Sequence, residues 1–436
     1  MAQKQKLNLD GIASQNSQEK QDYVSAAEAM KMMGVRQQTL YAYVSRGLIS
    51  SLAQPGSKEK LYLRSDVERM CIRSLARTGH GALAASAMNW GDPIVPSTIT
   101  EITPSGHRYR GRSAAELARM KVSFESAAEL LWTGTLLDEA ITWPVLELTP
   151  ELKRITDSLE SQNPADQLLE IFSIVTLHLG VAAGAGGATA ERGQGGRTYD
   201  AARQIIHSLV GCCGYAGPLE KFVPMTPGSS VVQGLIDALQ IESSDSNIEA
   251  LNAILVIMAD HELSPGTLCA RVCASGGSAL HSCLASGACA IAGLGIGRQY
   301  LRVDAFLQAS SSRELMQRAK DAHARGAVVP GFVHPMYPRG DPRAKYLLSV
   351  LQRRPLLSKS SKALLTFVDR MEDELNLHPR HELGIVAVCR EMNLPKQLPG
   401  ALFGLARTAG WVAHIQEQRL TGSLLRPRAK FEGTSV

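Results

Sequence analysis

The sequence predicts an all-α protein of more than one domain, preceded by a small basic module, and three observations carry that expectation. Beyond about residue 96, long stretches place apolar residues at the three- and four-residue spacing of amphipathic helices. Almost no run alternates with the period of two that a half-buried strand needs. Ala, Gly and Ser abound while aromatic residues make up only 5% of the chain, a composition that lets helices approach closely. At 436 residues the chain exceeds what one compact core fills.

Residues 1–21 are rich in Gln, Ser, Asn and Lys and offer little to bury, so they are expected to form a disordered tail. Residues 22–78 form the first module. Ser25-Ala-Ala-Glu28 has the spacing of a capping box opening a short helix through Met33. Gly34 and Val35 make a turn, Arg36 to Arg46 a second helix, and Gly47 its C-terminal stop. Leu48 to Leu63 is extended, broken at Pro55-Gly56 with a basic tip at Lys58 and Lys60, and Ser65-Asp-Val-Glu68 caps a third helix. Residues 1–80 hold twelve Lys and Arg against seven Asp and Glu, which accounts for the whole formal excess of +5. Positive charge concentrated in this way points to a polyanionic partner.

A Gly/Ala-rich linker is expected over 79–95, and a helical domain over 96–436 with a smaller subdomain at about 300–400. Gly180 to Gly196 is expected to be a mobile surface loop, and the uncharged run Val272 to Gly297 a buried helix of a soluble protein. The polar opening MAQKQKLNLD has no apolar core of a secretory signal. The eight cysteines form no CxxC or paired framework, so they are expected to be core thiols of a cytoplasmic protein. No GxxxxGK[ST], no GxGxxG after a strand and no GxSxG occurs, which removes support for P-loop, dinucleotide-binding and serine-hydrolase chemistry.

Two short helices across a tight turn, followed by a two-stranded wing, in EAMKMMGVRQQTLYAYVSRGLI, resemble the winged helix-turn-helix of the MerR and excisionase type. That resemblance implies a second helix in the major groove, with DNA as a candidate partner. Arg36, Gln37, Gln38, Thr39, Tyr41 and Arg46 would contact bases or phosphates, and Lys58 and Lys60 phosphates.

From Ile99 to Gly433 a series of motifs recurs in one order: ITEITPSGHRYRGRSAAELA, SFESAAELLWTGTL, ADHELSPGTLCARVCASGGSALHS, GFVHPMYPRGDPRAKYL, ARTAGWVAHIQEQ and LLRPRAKFEG. This series resembles the citrate synthase and 2-methylcitrate synthase family. The resemblance implies a large and a small helical domain closing over a cleft, assembled as a homodimer. It also implies condensation of acetyl-CoA or another acyl-CoA with oxaloacetate or a related 2-oxo acid. The acyl-CoA would be a co-substrate; no metal and no tightly bound cofactor is expected, and no membrane partner.

Carried over residue by residue, the resemblance makes His334 of GFVH the acid at the keto oxygen and His261 of ADHE a substrate-binding histidine. Arg343 of DPRA and Arg407 of ARTAGW would grip the carboxylates, and Arg426 of RPR would be lent by a partner subunit. A planar guanidinium fork suits carboxylates better than lysine does. Counting back from Pro395 places Glu382 at the family's proton-abstracting aspartate. Counting forward from His261 places Ile296 at the histidine that stabilises the enolate, which leaves Arg298, Gln299 or a backbone N–H of the same Gly-rich loop as substitute donors. Loss of one such donor costs about 10²–10³ in kcat. The acyl-CoA half of the site is therefore altered while the dicarboxylate half is intact. Two expectations follow: a synthase using Glu382 as base, or a ligand sensor that controls DNA binding by the N-terminal module.

Overall fold

The computed structural model describes residues 23–45, 49, 51–53, 60–63, 67, 95–137, 139, 141–145, 148–162, 164–184, 195–308 and 311–427. The chain divides into two compact units: Ser97–Pro427, and Met1–Pro96 with Arg428–Val436.

In the N-terminal unit, β1 (Tyr23–Ser25) leads into α1 (Ala26–Met33), followed by α2 (Gln37–Ser45), β2 (Ser51–Ala53) and β3 (Lys60–Leu63). The capping box forms: the Glu28 N–H donates to Ser25 Oγ at 3.2 Å, and the Ser25 N–H donates to Glu28 Oε2 at 2.9 Å. Gly34 closes α1 in the left-handed conformation at φ 62°. The strands form an antiparallel sheet in the order β1-β3-β2. Val24, Ala29, Met33, Leu40, Ile49, Tyr62 and Val67 make a small separate core. The sequence had offered no strand at Tyr23–Ser25; it exists because β3 supplies its ladder partner. The expected tail, most of the linker, the third helix other than Val67, and Arg46 and Lys58 lie outside the described residues.

The larger unit opens with a second antiparallel sheet, β4 (Thr100–Thr103), β5 (Gly106–Tyr109) and β6 (Arg112–Ser113). The unit is mostly helical, as expected, and this short sheet is an addition that the sequence did not offer. Strands of two to four residues are too short for a period-two pattern to register. Helices follow: α3 (Ala114–Arg119), α4 (Phe124–Thr133), α5 (Pro150–Glu160), α6 (Leu168–Ala182), α7 (Gly195–Cys213), α8 (Val231–Leu239) and α9 (Asp245–Met258). Then come α10 (Pro265–Ser275), α11 (Leu280–Ile291), α12 (Gln299–Phe306), α13 (Ser312–Ala324), α14 (Pro342–Gln352), α15 (Lys359–Leu375), α16 (His381–Glu391) and α17 (Leu398–Thr421).

The 24-residue α17 is buried along most of its length and packs against α4, α7, α9, α10 and α11. Glycine makes this packing close. A Cβ at Gly266 or Gly287 would meet the Trp411 ring at 2.8 or 3.0 Å. Two sequence expectations fail here. Gly180 lies inside α6, pressed against His281, so the loop does not begin there. The uncharged run is two helices, α10 and α11, turning at Gly276-Gly277. Gly180 and Gly287 mark close helix contact, whereas Gly276-Gly277 marks a turn. Cys269 and Cys289 are exposed, contrary to the core-thiol expectation, whereas Cys212, Cys213, Cys283 and Cys389 are buried. The stretch Pro164–Ala182 is long and apolar enough to cross a bilayer, but half of it is buried inside the unit.

Candidate active site

The site is assembled from element ends. Helix α9 stops at Met258, and the chain turns through Asp260 to present His261. The segment before α14 carries His334, the first turn of α14 carries Arg343, the first turn of α16 carries Glu382, and mid-α17 carries Arg407. Backbone hydrogen bonds from Val333 N to His378 O (2.9 Å) and from Arg380 N to Gly331 O (2.8 Å) join the His334 segment to the start of α16. Val333 sits at φ 61°. That conformation is costly for a β-branched residue and stands directly beside His334.

Asp341 caps α14 and organises the centre. Its Oδ1 accepts from the Arg343 backbone N–H (3.0 Å) and Nε (2.9 Å). Its Oδ2 accepts from Arg343 Nη2 (2.8 Å) and the His381 N–H (3.1 Å). Burial opposes the charge on Asp341, but the Arg343 guanidinium and the His381 and Arg343 hydrogen bonds outweigh it and hold the carboxyl well below its usual range. His334, Asp341 and His381 bring one ligand atom each within 4.8 Å of one another. The Asp341 oxygens already accept four N–H groups, so this trio acts as a hydrogen-bond hub.

Arg343 Nη2 also lies 3.1 Å from His334 Nε2, and the Met336 N–H points at His334 Nδ1 at 3.2 Å. A neutral imidazole accepts at only one nitrogen, so two donors address a ring that can satisfy one. An acceptor oxygen placed between Arg343 and Nε2 removes the conflict. His261 Nε2 pairs with the Tyr337 hydroxyl at 2.8 Å, and its ring centroid lies 6.1 Å from that of His334 and 5.4 Å from that of His107. Burial, reinforced by the charge of Arg343, lowers His107 and His334 to about 3 and His261 well below its usual value. All three rings are neutral near pH 7.

Arg407 is 2% exposed and stacks over Phe403 with its guanidinium carbon 5.0 Å from the ring centroid. Its Nε and Nη1 find no hydrogen-bond partner among the described residues. A buried guanidinium left so is costly unless an anion answers it. The Tyr300 hydroxyl nearby is also buried without a partner.

Glu382 is buried, and Arg380 holds it bidentately: Nη2 donates to Oε1 at 2.6 Å and Nε to Oε2 at 3.1 Å. Burial pushes its carboxyl up, but His381 and Arg380 together bring it below the usual value. Arg298 is about half exposed and lies 3.5 Å from Glu170, while Gln299 Nε2 donates to Leu294 O at 2.7 Å. Both expected enolate donors are thus engaged elsewhere, and Ile296 packs against the core. Arg426 is exposed beyond α17. In the N-terminal unit Arg36, Gln37, Gln38, Tyr41 and Lys60 are exposed and Thr39 is half-buried, with Gln37 Nε2 donating to the Tyr41 hydroxyl at 2.7 Å.

Sequence reasoning passed over His107, Tyr300, Tyr337, Asp341, Arg380 and His381. Tyr337 and Asp341 stand inside the GFVH and DPRA motif, and His107 inside the first motif, so a signal existed for those three. None of the recurring motifs marks Tyr300, Arg380 or His381.

Residues 88–428 match the family model described as citrate synthase, C-terminal domain. Citrate synthase 2 of Bacillus subtilis is 31% identical over 198 residues, which are 44% of this chain and 53% of that protein. Citrate synthase of Haloferax volcanii is 30% identical over 197 residues, 44% of this chain and 52% of that protein. These matches therefore span about half the length of the curated relatives. The fold is shared with citrate synthase from Thermotoga maritima MSB8 at a TM-score of 0.64 and 22% identity, over 79% of this chain and 94% of that one. It is also shared with citrate synthase from Thermoplasma acidophilum, solved as a ternary complex with carboxymethyl coenzyme A and oxaloacetate. That match has a TM-score of 0.61 and 19% identity, over 79% of this chain and 95% of that one. The chain belongs to the citrate synthase family.

Proposed function

We propose that the pocket between Arg343 and Arg407 binds oxaloacetate or a closely related 2-oxo dicarboxylate, and that the chain condenses an acyl-CoA with it to give citrate or a homologue. The observation that carries this reading is Arg407, a buried cation with two unanswered N–H directions. Arg343 provides a second guanidinium, and neutral His261 and His334 are buried beside it. The donor conflict at His334 would be relieved by a keto oxygen that accepts from both Arg343 Nη2 and His334 Nε2.

In the reaction, Glu382 takes a proton from the carbon next to the thioester carbonyl. The enolate carbon bonds to the keto carbon, and the keto oxygen receives its proton from His334. Water then cleaves the thioester and releases CoA as its thiol. Arg426 of a second copy would add a cation, which makes a homodimer part of the proposal. The acyl-CoA is a co-substrate, and the chemistry calls on no tightly bound cofactor. Thiol release from acetyl-CoA in the presence of oxaloacetate tests the reading. Turnover is expected, falling about 10²-fold or more in Glu382→Gln.

A second reading is favoured by the Arg380 clamp and by Ile296: a dicarboxylate sensor whose occupancy biases DNA binding by the N-terminal unit. It predicts no thiol release, citrate or oxaloacetate binding, and a salt-dependent shift of duplex DNA that the ligand alters. That combination would overturn the enzyme reading.

A further inference from the structure

Three guanidinium groups act on the pocket, and each has a carboxylate near it. Arg343 is locked to buried Asp341 by two hydrogen bonds, and a bound anion would not pull it free. Arg407 feels Asp260 through space without bonding to it, because Asp260 Oδ2 is already held by Thr100 and His414. Arg380 differs from both. Its backbone is fixed by the bond to Gly331 O, yet its side chain is 29% exposed, and its carboxylate partner Glu382 is 7% exposed. Its charge reaches both His334 and Tyr300, which line the pocket.

A dicarboxylate carries two negative charges into this buried space. Arg343 is answered by Asp341 and Arg380 by Glu382, the three histidines are neutral, and Arg407 alone has hydrogen-bonding nitrogens left unanswered. Arg407 can answer one carboxylate of a dianion, and a cation that can change partners would answer the other. Arg380 is the only one of the three guanidinium groups that is both partly solvated and paired to a residue other than its own helix cap or a distant carboxylate. Releasing Glu382 also suits chemistry, since a bidentate guanidinium occupies one lone pair on each carboxylate oxygen and its charge makes the carboxylate a weaker base.

We propose that Arg380 is a shared guanidinium: it clamps Glu382 while the pocket is empty and turns onto a carboxylate of the bound dicarboxylate, setting Glu382 free. Arg380 is thus a positioning residue for Glu382 and a binding residue for the anion. This inference rests on the dicarboxylate pocket proposed above, but not on turnover.

The test is a double-mutant cycle on the full-length protein, read by calorimetric titration with oxaloacetate and no thioester present. Glu382→Gln is expected to tighten oxaloacetate binding about tenfold, because it loosens the clamp, and Arg380→Gln to weaken it about tenfold. The Arg380→Gln/Glu382→Gln double variant should match Arg380→Gln alone, because the gain from Glu382→Gln requires Arg380. If the gain persists in the Arg380→Gln background, Glu382 acts only through its field and the proposal falls. If both single variants lose thermal stability while keeping the parental affinity, the pair is merely structural and the proposal also falls. Failure of the unaltered protein to bind oxaloacetate removes the pocket itself, an outcome distinct from binding without coupling.

Discussion

A guanidinium with two unanswered N–H directions deep in a fold works against the stability of the empty protein, because its desolvation is not repaid by hydrogen bonds. Arg407→Met is therefore expected to raise the stability of the unliganded protein by about 1–2 kcal/mol while abolishing oxaloacetate binding. Thermal melts with and without ligand check both halves, and a destabilised variant would show that Arg407 serves the fold. The histidines give a pH signature. In the unfolded chain they titrate near 6.5, whereas folded His107 and His334 are held to about 3 and His261 well below its usual value. The stability that depends on their neutrality is complete above about pH 6.5 and is lost as pH falls toward the folded values, by about 1.4 kcal/mol per pH unit for each ring. Urea unfolding at pH 7.5 and 5.0 should show that decline, and His107→Gln should remove one ring's share of it. At this scale the sequence was legible where a motif named the residue, as for His261, His334, Arg343 and Arg407. It was silent on Arg380 and Tyr300, whose roles exist only through a neighbour brought in by the fold.

At the scale of elements, periodicity located the long helices because each buries one continuous face, as α15 does through Leu364, Phe367, Val368 and Met371. It missed β1 and the β4-β5-β6 sheet, whose strands are defined by partners rather than by pattern. It also misread glycine. Local propensity treats Gly180 as a helix breaker, yet α6 runs through it because an absent side chain lets α11 approach. A Cβ there would lie 2.7 Å from the His281 Cβ and 2.9 Å from its ring. Gly180→Ala sets two effects against each other: alanine favours an isolated helix by about 1 kcal/mol, and overpacking costs about 1–3 kcal/mol. The clash involves a buried ring carbon and a Cβ that cannot swing aside, so packing wins and the variant is expected to be less stable. Chemical denaturation reads the sign, and an unchanged or raised midpoint would show that α6 and α11 can separate without cost.

For the molecule as a whole, the surface of α6 is the feature that a lone chain does not explain. Ile174, Leu177 and Val181 are exposed to 42%, 45% and 81% at spacings of three and four residues, so they form one apolar stripe. Helix α11 packs against both α6 and α10, and α10 exposes Val272 and Cys269 while α11 exposes Cys289. Single exposed leucines are ordinary, but a stripe with apolar neighbours on adjacent helices marks a surface meant to be covered. The homodimer proposed above would supply that cover, and it would also give a place to Arg426, a cation exposed beyond α17. Self-association through a two-fold axis would bury both stripes together and supply Arg426 reciprocally. Leu177→Lys places a charge in the middle of each stripe and is expected to shift the protein from dimer to monomer in sedimentation velocity at micromolar concentration. Because the monomer lacks the partner's Arg426, oxaloacetate affinity should fall in Leu177→Lys as it does in Arg426→Ala, and combining the two should cost no more than either. A monomeric Leu177→Lys that binds oxaloacetate as the parent does would show that each chain completes its own pocket.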